Sequence, residues 1–412
     1  MARPLASLIF RDTLSRALFS NFSPIVTKFR LNSTFEAACL REYGKPLVID
    51  KFTRQPLNPG HVRVAVEYCS LNFNDVKYLE ETYSDKTLPF IPGYELSGEI
   101  LEVGEGCEDS NFTVGQRVVG VIKSGHGGIA TEAVLKANSV WELPAEIPYP
   151  DAAAVVCGHA TAMLAFTQFS PLNEGDILLV IAGAGGYGLA AVDVAASIFK
   201  SKVIAVVDTD GEGSLLRDRG AFAAFKNNLK RNYKEIMKAS DDKGVHHIYD
   251  AVGGPILNTV IKCITDPTKG LVLGTYRLRK EHIAPEEKKS EEADSDSDKT
   301  AEKKGDDAKE KKEEKAEKKK EEKAESKKEE TKPTLLSKEV LDRFKTVNIF
   351  NFREENEEEY YNLVSQVLQY YEEELITAHI SKTFGLGEVN EAIDFIKGKV
   401  CTGKVLIKIK DD

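Results

Sequence analysis

Asp176-Ile-Leu-Leu-Val-Ile-Ala-Gly-Ala-Gly-Gly-Tyr-Gly188 decides the fold of this 412-residue chain. An apolar run suited to a buried strand leads into Gly183-x-Gly185-x-x-Gly188. A small-residue helix is expected over Leu189–Phe199, then a second buried strand over Lys202–Val207. Each part has a physical role toward a dinucleotide. Gly183 permits the tight turn, Gly185 and Gly186 let backbone N–H groups approach a pyrophosphate, and Gly188 lets helix and strand pack closely. The helix start adds partial positive charge. Asp208 lies about 20 residues past the last glycine, where a carboxylate can accept from ribose hydroxyls. The plainer alternative is a glycine turn in an α/β fold that holds no ligand.

Working outward, strand candidates at 177–182, 202–207, 246–250 and 270–275 alternate with helical stretches, which implies a parallel sheet with crossover helices. The region before it reads as mostly β. Val62–Tyr68, Ser97–Val103 and Arg117–Ile122 alternate, with Pro and Gly between them. A strand is expected over Thr346–Phe352, helices over Glu358–Leu375 and Val389–Gly398, and a final strand over Lys404–Lys410. Between residues 286 and 332, 35 of 47 residues are charged and the apolar ones are alanines. Such a stretch cannot bury enough surface to offset its ordering entropy, so it reads as a disordered Lys/Glu-rich insertion.

Composition narrows the function classes. The net charge of −10 leaves no basic footprint for nucleic acid. Six cysteines, at positions 39, 69, 107, 157, 263 and 401, form no CxxC pair, which argues against a disulfide framework and a four-cysteine zinc lobe. The longest apolar candidate for a membrane span is the glycine-motif region, and Asp193 interrupts it. Residues 1–33 differ from the rest. They carry Arg3, Arg11, Arg16, Lys28 and Arg30 against a single acid, Asp12, with Leu5, Leu8, Ile9, Leu14 and Leu18 able to line one side of a helix. That is the composition of a mitochondrial transit peptide, and delivery to the matrix is the expectation.

Several further motifs occur in a fixed order. They are Asn72-Phe-Asn-Asp75, Leu88-Pro-Phe-Ile-Pro-Gly-Tyr-Glu95, Ser97-Gly98, Val103-Gly104, Val114-Gly-Gln-Arg-Val118, Gly127-Gly128, Ala152-Ala-Ala154, Asp250-Ala-Val-Gly-Gly254 and Thr402-Gly-Lys-Val405. With the glycine turn, this series resembles the medium-chain dehydrogenase/reductase superfamily. Its zinc-free quinone oxidoreductase (zeta-crystallin-like) branch fits best. The resemblance covers about residues 37–412 apart from the charged insertion. It implies an α/β fold in which a Rossmann, doubly wound parallel sheet is inserted in a GroES-like β-rich domain. The expected divisions are a GroES-like part over 36–165, a Rossmann domain over 166–375, and a returning GroES-like part over 376–412.

The resemblance also implies a site. Zinc alcohol dehydrogenases of this superfamily place a Cys where this chain has Asn72, a His where it has Tyr94, and a third ligand near Cys157. One ligand of three cannot hold a catalytic zinc, so no metal is expected. The expected reaction is hydride transfer from NAD(P)H to a small-molecule quinone or enone, whose developing oxyanion needs hydrogen-bond donors or a proton source. By resemblance, Asn72 and Thr161 face the nicotinamide, and Gly274 lets the chain pass close to it. Tyr83 is the expected proton donor, as in the related enoyl-thioester reductases, although Glu81 stands where a glycine is usual. Tyr94 and His159 are further lining candidates. Asp208 and Glu212 tilt the reading toward NADH, because carboxylates repel a 2′-phosphate while Asp208 can bond a free 2′-hydroxyl. Two other readings remain open: enoyl-thioester reduction, and a catalytically impaired nucleotide-binding or interaction protein. Pairing into a homodimer through an edge of the Rossmann sheet is a family expectation that the residues leave undecided.

Overall fold

A computed structural model describes residues 33–80, 87–107, 111–122, 126–181, 183–266, 270–275, 336–398 and 401–410. Tyr83, residues 1–32 of the expected transit peptide and the 286–332 insertion lie outside the described residues.

Apolar side chains alternate between two buried faces along the strand Ile177–Ile181. Ile177, Leu179 and Ile181 enter one core cluster, and Leu178 and Val180 another. A strand buried on both faces belongs to a parallel sheet covered by helices. The six strands in question all pair in parallel, in the spatial order Ala223–Lys226, Lys202–Val207, Ile177–Ile181, His247–Asp250, Val272–Gly274 and Phe344–Thr346. In chain order that is 3-2-1-4-5-6, the doubly wound arrangement. Its strand order reverses between Ile177–Ile181 and His247–Asp250, where such sheets bind ligands.

A second sheet runs Ile380–Gly385, Lys404–Lys408, His61–Leu71, Glu95–Val103, Arg117–Val121 and Val140–Glu142, with Glu132–Lys136 also paired to His61–Leu71. Residues from both ends of the chain therefore share one β-rich layer, as the expected insertion of one domain in another requires.

Between the sheets lies the helix Tyr149–Leu164, in which every residue from Ala152 to Leu164 is buried. With its last turn it forms the stretch Tyr149–Phe169, long and apolar enough by composition to cross a membrane, yet 83% of that window is enclosed by the protein itself. This corrects the expectation that the glycine-motif region is the leading such candidate. The helix is apolar all round because it is packed on every side. Its small residues permit close approach: a Cβ on Gly158 would stand 3.1 Å from Gly186 O and 3.2 Å from Ala190 Cβ.

One expected element changes type. The strand ends at Thr346, and Ile349–Glu355 is a helix. Asn348 Oδ1 accepts from Phe350 N at 2.9 Å and Asn351 N at 3.2 Å, an N-cap that outweighs the apolar alternation of Ile-Phe-Asn-Phe. That helix is tied to the β-rich sheet by the buried Arg353, which donates to Val121 O at 2.9 Å and to Ser139 Oγ. Beyond it, Trp141 Nε1 donates to Tyr361 O of the helix Glu357–Glu372 at 3.1 Å.

Gly274 ends its strand against Phe344 of the neighbouring one. A Cβ there would lie 2.0 Å from Phe344 Cζ, so the ring occupies the volume the glycine leaves. Gly274→Ala should therefore lower the unfolding free energy by about 2 kcal/mol, read from the urea midpoint. In the Phe344→Leu background the same change should cost under about 0.5 kcal/mol. A Gly274→Ala variant as stable as the parent would refute this packing role.

Candidate functional site

The glycine turn begins where Ile177–Ile181 ends, at the point of strand-order reversal. Gly183 lies under the helix Asp210–Asp218, since a Cβ on it would meet Leu216 Cδ1 at 2.6 Å. Gly185 is exposed and caps the helix Gly186–Asp193 with extended backbone, and among the described residues no side-chain cap bonds the helix start. Its carbonyl accepts from Leu189 N at 2.8 Å. The helix continues through a wide π-type turn to Ile198, and Gly188 is buried within it. A first helical turn without a side-chain cap leaves N–H groups and positive dipole available to an anion. The turn is also pinned from the other sheet: Gly403 N donates to Ala184 O at 2.7 Å, and Gly185 pairs with Gly403 as a parallel bridge.

Asp208 is exposed, immediately after the adjacent strand Lys202–Val207. Glu212 has a different role from the one its charge suggested. Its Oε2 accepts from both Asp208 N and Thr209 N at 2.8 Å, while Thr209 Oγ1 accepts from Glu212 N at 3.3 Å. This is a capping box for the helix Asp210–Asp218. Nearby, Arg217 donates to Ala224 O at 2.9 Å and Arg219 to Ala378 O at 3.5 Å.

Across the seam, Asn72 precedes the short helix Phe73–Tyr78 and is buried. Asp75 joins two loops: its Oδ2 accepts from Asn72 N and its Oδ1 from Gly93 N, both at 2.8 Å. Burial pushes the Asp75 carboxyl up to about 7, against the opposing pull of those backbone donors and of Lys404. Glu95 and Lys404, also buried, complete the group. Lys404 Nζ donates to Glu95 Oε2 at 2.6 Å and to Asn72 Oδ1 at 2.5 Å, while Glu95 Oε1 accepts from Cys157 N at 2.8 Å. The stem of Lys404 lies against the glycine turn, since a Cβ on Gly186 would stand 2.8 Å from Lys404 Cδ. The lysine thus connects the anion-receptive turn with Asn72.

A second link is aromatic. Tyr187, inside the glycine motif, places its hydroxyl 3.3 Å from that of Tyr94, and the Tyr94 ring meets Phe350 edge-on at 5.2 Å. Burial holds both phenols well above the usual tyrosine range, so they are neutral donors and acceptors. Thr161 turns inward: its hydroxyl donates to Cys157 O in its own helix at 2.7 Å. His159 is bonded locally, Nδ1 at 2.8 Å from Val155 O and Nε2 at 3.4 Å from Asp193 Oδ2. It lines a cavity of about 10 Å³ beside Gly186 and Lys404, room for one water. A larger recess, about 340 Å³ between Leu164 and Gln366, lies away from this group.

The structure thus brings Gly183, Gly185, Gly186 and Gly188 to the same seam as Asn72, sets Asp208 on the neighbouring strand end, and directs Thr161 and Gly274 into packing. Lys404, Glu95 and Tyr187 were not singled out from sequence. For Lys404 and Glu95 the signal is a charge in a strand beside apolar neighbours, which demands a buried partner, whereas Tyr187 carries no such signal.

The same architecture occurs in known proteins. Residues 58–145 match the family model described as the alcohol dehydrogenase GroES-like domain. The chain is 36% identical over 267 residues to quinone oxidoreductase-like protein 2 homolog of Nematostella vectensis, covering 64% of this chain and 70% of that protein. It is 28% identical over 379 residues to quinone oxidoreductase-like protein 2 of Bos taurus, covering 91% and 93%. A mycobacterial structure complexed with NADPH superposes with a TM-score of 0.69 at 19% identity, over 91% of this chain and all of that one, a likeness of fold. With a doubly wound sheet set in a GroES-like layer and a relative this similar over most of its length, the chain belongs to the quinone oxidoreductase-like branch of the medium-chain dehydrogenase/reductase superfamily.

Proposed function

We propose that the chain is a zinc-independent NAD(P)H-dependent reductase that passes hydride to a quinone or another conjugated carbonyl. One observation carries this reading. The uncapped helix start at Gly185–Gly188 is pinned to Gly403, so an anion-receptive turn and the polar group Asn72–Lys404–Glu95 lie on one seam. The residues fit a dinucleotide: the turn suits a pyrophosphate, and Asp208 suits a ribose hydroxyl. A bound nicotinamide supplies the hydride. The protein's own part is to orient the reactants, exclude water and offer donors to the oxygen that gains charge.

Independence of zinc is supported by charge and chemistry. An ammonium 2.5 Å from Asn72 Oδ1 puts a cation where a dication would otherwise bind. Cys157 offers a single thiol, which burial pushes well above its ordinary range. Among the described residues no cluster of three His, Cys, Asp or Glu side chains is placed to hold a metal.

The competing reading, a nucleotide-free interaction protein, draws support from the Tyr94–Tyr187 contact and the tight cavity beside Gly186. A titration of the full chain with NADH and NADPH separates the two. Nucleotide binding, followed by cofactor oxidation with a panel of quinones, enones and enoyl-thioesters, is the outcome that supports the reductase.

With Glu212 engaged in its cap, cofactor preference rests on Asp208. NADH should bind more tightly than NADPH. Asp208→Ser should improve NADPH binding about five-fold, the worth of roughly 1 kcal/mol of carboxylate–phosphate repulsion in water. Tighter NADPH binding by the parent protein would end this preference. Glu212→Ala should instead destabilise the fold by about 1 kcal/mol through loss of the capping box, with the NADH/NADPH ratio unchanged. The basic, serine-containing first 33 residues support delivery to the mitochondrial matrix. Fused to a fluorescent protein they should direct it there, and a diffuse cytosolic signal would count against it.

A further inference from the structure

We infer that Lys404 is a positioning residue: it fixes the Asn72 amide so that its NH₂ group is a donor kept for a carbonyl oxygen of the bound reactants. The inference rests on the proposed reductase function and adds the device that gives Asn72 a single orientation.

An asparagine amide can turn over, exchanging its oxygen for its nitrogen at little cost when the surroundings are indifferent. Here they are not. Lys404 has donors and no acceptor, so only Oδ1 can face it, at 2.5 Å. Glu95 holds the ammonium in place at 2.6 Å, and Cys157 N holds Glu95 at 2.8 Å. The amide nitrogen is thereby turned the other way. Asn72 is 6% exposed, and its Nδ2 is buried without a hydrogen-bond partner. The Asp75 carboxylate feels this amide only as the smallest influence on its acidity, with no properly formed bond between the two side chains. Both Asp75 oxygens already accept backbone N–H groups.

A buried donor without an acceptor is costly, and sites of that kind are uncommon unless a ligand completes them. Neither capping nor packing explains this one. Asp75 makes the bond to Asn72 N, and a cap at the helix start uses the amide oxygen as acceptor, so capping gives Nδ2 no partner. The lysine that sets the amide lies against Gly186 of the anion-receptive turn, so the donor belongs to the same seam. A carbonyl oxygen, from the nicotinamide carboxamide or from the quinone, is the acceptor this geometry suits.

The test compares NADPH with its thionicotinamide analogue, whose sulfur is a poor acceptor, by fluorescence titration of the full chain. The variants are Lys404→Met/Glu95→Leu, which removes both charges and strands neither, Lys404→Arg, and Asn72→Ala, whose backbone stays bonded to Asp75. Melting temperature is followed throughout. If the carboxamide is the acceptor, the parent binds NADPH about ten-fold more tightly than the analogue. Lys404→Arg keeps that ratio, and the other two variants bring it to about one. If the quinone is the acceptor, the ratio is near one throughout. The double variant and Asn72→Ala then lose on the order of 100-fold in kcat/KM for 1,4-naphthoquinone with NADPH affinity intact. Variants that bind both nucleotides and turn over the quinone as the parent does overturn the inference alone. A parent that binds neither NADH nor NADPH overturns the proposed function, and the inference with it.

Discussion

The helix Tyr149–Leu164 has no face suited to water, and the rest of the molecule is arranged around that constraint. A helix apolar on all sides must be covered on all sides. Here the cover comes from the glycine helix, from the strands of the β-rich sheet and from the helix Glu357–Glu372. Those elements derive from the middle, the two ends and the late part of the chain. One buried helix therefore obliges sequence-distant segments to meet. The glycine turn is drawn against Gly403 as part of the same packing, through the close approach of Gly158 to Gly186 and Ala190.

At that seam the protein buries a lysine and a glutamate. A buried ion pair adds little net stability, because removing two charges from water offsets most of their attraction, but deleting one partner costs about 3–5 kcal/mol. Such a pair is better understood as a device of orientation. Lys404 can only donate, and Glu95 is further restrained by Cys157 N. The side chains around it consequently have few rotamers that keep the charged groups bonded, which gives this end of the seam a single arrangement.

The parallel sheet was legible because its central strands Ile177–Ile181 and Lys202–Val207 carry long apolar runs, and the four candidates match within two residues at each end. The short strand Ala223–Lys226 escaped notice, since Ala-Ala-Phe-Lys carries neither alternation nor a long apolar run. The expected strand Thr346–Phe352 stops at Thr346 because the Asn348 cap starts a helix at Ile349. At the site, the glycine motif could be located from its spacing, and Asn72 only from the family resemblance. The partners of Asn72 could not: a charge beside apolar neighbours says that Lys404 needs a buried partner, but not that the partner lies 332 residues away. Glu212 is the opposite case: its charge was legible, but the cap it makes at the helix start was not.

The sixth strand of the parallel sheet, Phe344–Thr346, is three residues long and is separated from its neighbour Val272–Gly274 by 69 intervening residues. Loop closure becomes costlier only slowly with length, by about 0.6 kcal/mol for each doubling, so the long charged segment between them weighs little on the folded state. Its weight falls on the order of events. Five strands can assemble from nearby segments, whereas the last must wait for a distant piece of chain to return. What holds this strand in place is side-chain packing more than its three residues of ladder: the Phe344 ring fills the space left at Gly274, and Val340 and Val347 are buried on either side of it.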